Sequence, residues 1–429
     1  MFDNILYQSA AKLLESDIRG AGLPPSLLFA GPAASGKLSA ALETARILSC
    51  RAEGERGSWR CSCPSCLQHK ALVSQNTLIA GPGDRTLEIR AAKATLLAQN
   101  AMNSSHLEAA RYLYLRAVRK LTLRFSPILW EGDDKVSKAA PLLLSINEAL
   151  ENLTPGRTVP DADELQKLLD AVEKDCEKLE SSFLYDSIPV SQIRNFSSWA
   201  HLKGVEGKKV LILENADRMA DSARNALLKI LEEPPENVVF ILTTQKRNAM
   251  LPTILSRVRT YMFFERSAPQ QEEVIRRIFH YDPSLTHAAM PEGINAFLQS
   301  YLDIKPALVT AAAASYFAEI AQGHFPDIAA VLASCASFRP RVLLTIFLQG
   351  IIEAQAHFLR SPEGAACSGK ILEQLRTVSD NVSIFNQGPQ AALEQLARNL
   401  MQIDHESGGV LRRLAGSAGP AGTPGPEAS

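Results

Sequence analysis

Three groups of residues in this 429-residue chain have types and spacings that can do chemistry. The first is GPAASGKL, Gly31 to Leu38, which fits the G-x4-G-K start of a phosphate-binding loop. In such a loop glycines let backbone N–H groups turn toward phosphate oxygens, a lysine adds positive charge, and the following helix N-terminus favours anions. Gly31, Ser35, Gly36, Lys37, Leu38 and Ser39 are therefore the candidate nucleotide-binding residues. Leu38 departs from the pattern, because it stands where a Ser or Thr hydroxyl would coordinate Mg²⁺. Ser39 is no substitute, lying about 100° further around the helix. A second departure lies in KVLILENAD, where the apolar run should end in an acidic pair. Glu214 there is a degenerate Walker B carboxylate, and Asn215 carries an amide that cannot act as a base. Both losses point the same way: ATP and Mg²⁺ should bind weakly or not at all, and hydrolysis should be poor.

The second group is Cys50, Cys61, Cys63 and Cys66, four of the seven cysteines gathered in seventeen residues. Zinc takes four soft ligands in a tetrahedron, and a loop from Cys50 followed by the tight CSCPSC turn can supply them. The C-x10-C-x-C-x2-C spacing is not the usual pair of C-x2-C motifs, so unliganded thiols in a surface loop remain the alternative. His69 is a spare candidate ligand. Cys176 falls instead in a heptad-like stripe with Leu165, Leu169, Val172, Leu179 and Phe183, the position of a small core hydrophobe.

The third group is a polarised middle segment. Between Arg85 and Arg124 eight basic residues face two acidic ones, whereas between Glu131 and Glu180 thirteen acidic residues face six basic ones. Both stretches carry apolar residues at helical spacing. A helical hairpin whose arms attract is one reading; a nucleic-acid-binding face on the basic arm is the other.

Elements that position these residues follow from periodicity. SLLFAG, KKVLILENAD and NVVFILTT read as buried strands, while KLSAALETARILSC and DSARNALLKILEE read as helices, the second stopped by Pro234 and Pro235. Strands alternating with helices imply one mainly parallel sheet covered on both faces. After Glu265 the chain reads as wholly helical, opening with a Ser-Ala-Pro helix start. The Gly-, Pro- and Ala-rich end has little to bury and should be disordered. Composition sets outer limits. With 45 Lys plus Arg against 46 Asp plus Glu the formal charge is −1, which excludes a uniformly basic nucleic-acid coat. The length suggests roughly three domains, no apolar run suits a membrane span, and the N-terminus MFDNILYQSAAK lacks signal-peptide features, so a cytoplasmic protein is expected.

The ordered series FDNILYQ, LLFAGPAASGK, the cysteine cluster, IPVSQIRNF, KKVLILENADRM, SARNALLKILEEPP and FILTTQKRNAMLPTILSRV resembles the bacterial DNA polymerase III clamp-loader subunits, the delta prime and gamma/tau branch of the AAA+ superfamily. These segments cover roughly residues 1 to 80 and 187 to 265. The resemblance implies an α/β AAA+ domain over 1–265, with a zinc module about 50–69 and a helical insertion about 85–184. It further implies an all-α lid over 266–320 and an all-α collar over 321–405 that joins neighbours into a hetero-pentamer, leaving 406–429 as a disordered tail. The family reaches the IPVSQIR segment by a short connection, so the insertion is a departure.

From the same resemblance come roles for particular residues. Ser256 and Arg257 match the family's Ser-Arg-Cys motif, with Val258 in place of Cys, which makes Arg257 an arginine finger for ATP bound by an adjacent subunit. Thr244, or Thr243 beside it, is the sensor candidate, and Lys305 is a poor stand-in for the missing lid sensor. An intact finger beside a damaged loop fits a delta prime-like stator acting with gamma/tau and delta-type subunits, and through them with the sliding clamp and primer-template DNA. The alternatives are an ATP-hydrolysing gamma/tau-type motor, and a DNA- or partner-binding role for the insertion.

Overall fold

The computed structural model describes residues 1–54, 56–202, 207–286, 289–384 and 387–417. Two compact units divide the chain, Met1–Tyr301 and a second from Leu302 onward.

The first unit opens with α1 (Ser9–Arg19), β1 (Ser26–Ala30), α2 (Lys37–Ser49), α3 (Pro64–Lys70) and β2 (Thr77–Ala80). Four helices follow: α4 (Thr86–Ala101), α5 (Leu107–Thr122), α6 (Lys135–Asn152) and α7 (Ala162–Phe183). The chain then returns through α8 (Val190–His201), β3 (Lys209–Leu213), α9 (Asp221–Glu232), β4 (Val238–Thr244), α10 (Pro252–Leu255) and β5 (Arg259–Met262). It ends with α11 (Ala268–Phe279), α12 (Pro283–Thr286) and α13 (Ile294–Gln299).

All five strands pair in parallel, in the order β2-β3-β4-β1-β5. Three of them are the apolar runs expected; β2 and β5, four residues each, are too short to stand out by periodicity. Because both faces are covered, successive residues of a strand enter different cores. Leu27, Phe29, Val210, Ile212, Val239 and Ile241 pack with α1 and α2 on one face. Leu28, Leu78, Leu211, Leu213, Phe240 and Leu242 pack on the other, in a core shared with the insertion residues Ile89, Leu96, Tyr114, Leu121, Ile146 and Leu169. The stripe of Leu165, Leu169, Val172, Cys176 and Leu179 is fully buried there, so Cys176 is a core residue. The insertion is thus no free-standing hairpin; its helices complete one layer of the α/β unit.

Opposite charge does join its arms. Arg90 pairs with Glu173 and Glu177, at 2.8 and 2.6 Å, and Lys93 with Glu173 and Asp170. On the far side Arg111 donates to the carbonyls of Leu153, Thr154 and Arg157, while Arg116 and Arg119 donate to those of His69, Lys70 and Ala71. The basic arm's cations are thus largely engaged within the molecule, by acids of α7 or by backbone carbonyls.

The helix expected at Ser267 forms as α11, with a capping box between Ser267 and Gln270. Ile275 and Phe279 of this helix and Phe297 of α13 bury against Ala91 of α4. Thr95 donates to the Phe279 carbonyl and Arg90 to that of Tyr301. The insertion is consequently also a seat for α11 and α13.

The second unit is entirely helical among its described residues: α14 (Pro306–Ala321), α15 (Ile328–Ser334), α16 (Val342–Ala354), α17 (Pro362–Ile384), α18 (Pro389–Glu406) and α19 (Val410–Ser417). Its core centres on Tyr316, Phe347, Leu393 and Leu400. Helix α14 buries Val309, Ala313 and Phe317 in that core, so a lid over 266–320 is divided after Tyr301 instead of ending at 320. Residues 410–417, expected in the disordered tail of 406–429, form α19, because Val410 and Leu411 bury against the same core. Glu406 at its start closes α18, and residues 418–429 lie outside the described residues. Among the described residues no helix is long and apolar enough to cross a membrane.

Candidate functional site

The phosphate-loop sequence lies between β1 and α2, at the C-terminal end of a strand flanked by β4 and β5 and at the N-terminus of a helix, where such a loop belongs. Gly31 passes so close to β5 that a Cβ there would lie 2.2 Å from the Phe263 carbonyl oxygen. Gly36 takes the left-handed conformation (φ 93°) that begins α2. The loop is closed on itself. Lys37 Nζ donates to the carbonyls of Gly31 (2.7 Å) and Pro32 and to Ser35 Oγ, and Ser35 Oγ donates to Pro32. Burial lowers the Lys37 ammonium to about 8, against the pull of Glu214 and Asp217. Arg266 closes the outer side, donating to the carbonyls of Leu6 and Ala34. Leu38 is buried in the core of α1 and α2, so an apolar side chain fills the position of the missing hydroxyl; Ser39 is partly buried on the same helix.

At the end of β3 the Glu214 carboxylate is 12% exposed, and both its oxygens are taken: Oε1 accepts from Arg85 and Oε2 from Arg124. Both arginines come from the insertion. Arg124 is 1% exposed and also donates to the Gly83 carbonyl at 2.7 Å. Burial works against the Glu214 charge, but Arg85 and Arg124 outweigh it and hold the carboxyl below its usual range. Arg85 is shared with Glu88, which in turn pairs with Lys120, so charges alternate along one ladder into the insertion.

Asn215 has a structural reason to be an amide. Its backbone is left-handed (φ 51°, ψ 53°), a conformation asparagine tolerates, and its Nδ2 donates to the Pro82 carbonyl at 2.7 Å. Its N–H donates to Thr243 Oγ1. Thr244, the sensor candidate, donates to Asp217 Oδ1 at 2.6 Å. Sequence reasoning brought Lys37, Glu214, Asn215 and the threonines to this strand edge but missed Asp217, Arg266, Arg85 and Arg124. No motif marks the last two, which reach Glu214 only through the fold of the insertion.

Arg257 stands apart, after α10, with its side chain 32% exposed. Its guanidinium donates to Thr253 and Ser256 and to Glu232 at 2.7 Å. Val258 is buried in the core, which explains an apolar residue after the arginine.

The four cysteine sulfurs Cys50, Cys61, Cys63 and Cys66 lie within 4.8 Å of one another. Cys50 and Cys61 are 3.7 Å apart, against about 3.8 Å for the edge of a tetrahedron with zinc–sulfur bonds of about 2.3 Å. The N–H groups of Gly57 and Cys66 and the Arg46 guanidinium point at sulfurs. The donor set therefore fits a tetrahedral thiolate metal. His69 is not part of it; its ring is buried, and burial together with Arg46 and Arg116 pushes it down to about 4.

The fold is a mixed α/β protein on a five-stranded parallel sheet whose first strand runs into a phosphate-loop sequence, followed by helices. A family model described as DNA polymerase III, delta subunit, matches residues 127–267. The chain is 38% identical over 78 residues to the DNA polymerase III subunit delta' of Bacillus subtilis, covering 18% of this chain and 24% of that protein. It is 41% identical over 71 residues to the delta' subunit of Pseudomonas aeruginosa (16% and 22%), and 46% over 55 residues to the gamma/tau subunit of Mycobacterium bovis (13% and 10%). The alignments thus span about a quarter or less of those relatives. What these matches share is DNA polymerase III: residues 127–267 fit the family model, and the aligned segments are similar to its delta' and gamma/tau subunits.

Proposed function

We propose that this chain is a delta prime-like clamp-loader subunit of the replicative polymerase, a stator that does not turn over ATP at its own site and supplies Arg257 to ATP on a neighbouring subunit. The observation that carries this reading is the occupancy of Glu214: with Arg85 and Arg124 on its two oxygens, the carboxylate is not free to hold Mg²⁺ or orient water. Leu38 in the hydroxyl position and the inward-turned Lys37 add to it. Arg257, by contrast, is partly exposed and held by a single carboxylate, an arrangement from which a guanidinium can exchange onto a phosphate. In this reading the first unit is an AAA+ domain whose four cysteines hold a structural zinc. The helical unit from Leu302 contains the collar that assembles with gamma/tau- and delta-type partners, and the assembly acts on the sliding clamp and primer-template DNA in the cytoplasm.

The test uses the protein alone and in complex. The isolated chain should show no ATP turnover above background, and Arg257→Ala should lower turnover of a complex reconstituted with motor subunits by about 10³-fold at the affected site. Turnover by the isolated chain that vanishes in Lys37→Ala would favour the gamma/tau-type motor, and unchanged turnover of the Arg257→Ala complex would remove the stator role.

A further inference from the structure

The polar group most fully enclosed beside the cysteine cluster is Arg46 on α2, 1% exposed. All five of its N–H donors are used. Nε and one Nη2 hydrogen bind the two oxygens of Glu43 (2.9 and 2.6 Å), and the other Nη2 hydrogen binds the Gly57 carbonyl at 2.7 Å. Nη1 binds the Ser58 carbonyl and Cys66 Sγ, both at 3.1 Å. Its plane also lies 5.5 Å from the Trp59 ring.

This pattern exceeds what a structural ion pair needs. Glu43 alone would neutralise the guanidinium, and a neutral thiol is a weak acceptor. An N–H bond to sulfur gains strength once the sulfur is a thiolate, the form a metal ligand must take. The two carbonyls belong to the loop that carries the chain from Cys50 to Cys61, and the Gly57 N–H in turn donates to Cys50 Sγ at 3.3 Å. One side chain therefore touches a ligand sulfur directly and fixes the loop that brings two others into place.

We propose that Arg46 is a positioning residue for the metal site. Held in plane by Glu43, it donates to the Cys66 thiolate, offsets the excess negative charge of four thiolates around one divalent ion, and locks the loop between Cys50 and Cys61. Its ligand is a soft divalent ion of zinc type. Arg46 and Glu43 lie on the helix that begins at Lys37, so they fasten the metal site to the phosphate-loop helix. This rests on the reading of the cysteines as a metal site and adds to it a residue outside the ligand set.

The experiment measures zinc affinity of the full chain by chelator competition, and the sulfur-to-metal charge-transfer band after substitution with Co²⁺. Arg46→Met leaves Glu43 buried without its partner, so the double variant Glu43→Gln, Arg46→Met, which removes both charges, is measured beside it. Both should lose about 10–100-fold in zinc affinity, the usual cost of an outer-shell partner, with the Co²⁺ spectrum still tetrahedral but its charge-transfer band shifted. Arg46→Lys, which keeps the charge without the planar fork, should fall between them and the parent. Parent-like affinity and an unshifted band in the double variant would overturn the inference. A parent chain that binds neither zinc nor Co²⁺ overturns the metal reading itself, and that result appears before any variant is compared.

Discussion

At the scale of single residues, the site is defined by commitments that side chains make to one another. Lys37, Glu214, Asn215 and Thr244 were all legible, because a phosphate loop and the end of a buried strand have recognisable patterns. What each one does was not. Glu214 reads as a degenerate Walker B carboxylate in sequence and is a doubly paired carboxylate in the fold. Glu180, on α7, shows how deep that charge ladder runs. It accepts from the Arg85 N–H and the Thr86 hydroxyl, yet burial and the nearby Asp84 outweigh these and Arg124, and push its carboxyl from the usual 4.5 up to about 7. Between those values the unfolded chain binds fewer protons at this position than the native one, so its contribution to stability falls as pH rises through the window and is level above it. Glu180→Gln should flatten that fall, measured as urea midpoints from about pH 5 to about pH 7; an equal slope in both proteins would contradict it.

Elements show where local pattern stops being sufficient. The oppositely charged stretches and their apolar stripes located the helices of the insertion, and the pairing of Arg90 and Lys93 on α4 with the acids of α7 bears out attraction between arms. Periodicity tells which face of a helix is buried but not against what. Ile89 and Leu96 pack in the same core as the sheet, and the neighbouring Ala91 receives α11. Arg90 serves both contacts, through Glu173, Glu177 and the Tyr301 carbonyl. Arg90→Ala should therefore cost about 2 kcal/mol and speed amide exchange in α11 and α13 as well as in α7, read by hydrogen-exchange mass spectrometry. Faster exchange confined to α7 would mean that α4 does not hold the later helices.

For the whole molecule, the formal charge of −1 conceals a basic stretch whose cations are largely engaged internally. DNA retention by the full chain or its complexes should accordingly not depend on residues 85–124. Arg116→Gln should leave the salt dependence of DNA binding unchanged, whereas a phosphate contact there would reduce the slope of log K against log salt by about one. The sequence by itself determined the parallel α/β sheet, the helical remainder, the cysteine cluster and the damaged loop, because each is written in neighbouring residues through spacing, turn chemistry and side-chain type. Only the tertiary structure decided that the insertion belongs to the sheet's own core, that Arg85 and Arg124 close Glu214 from 129 and 90 residues away, and that Arg46 points at Cys66. Those contacts join residues distant in the chain, and a charge finds its partner through packing, which local sequence does not encode.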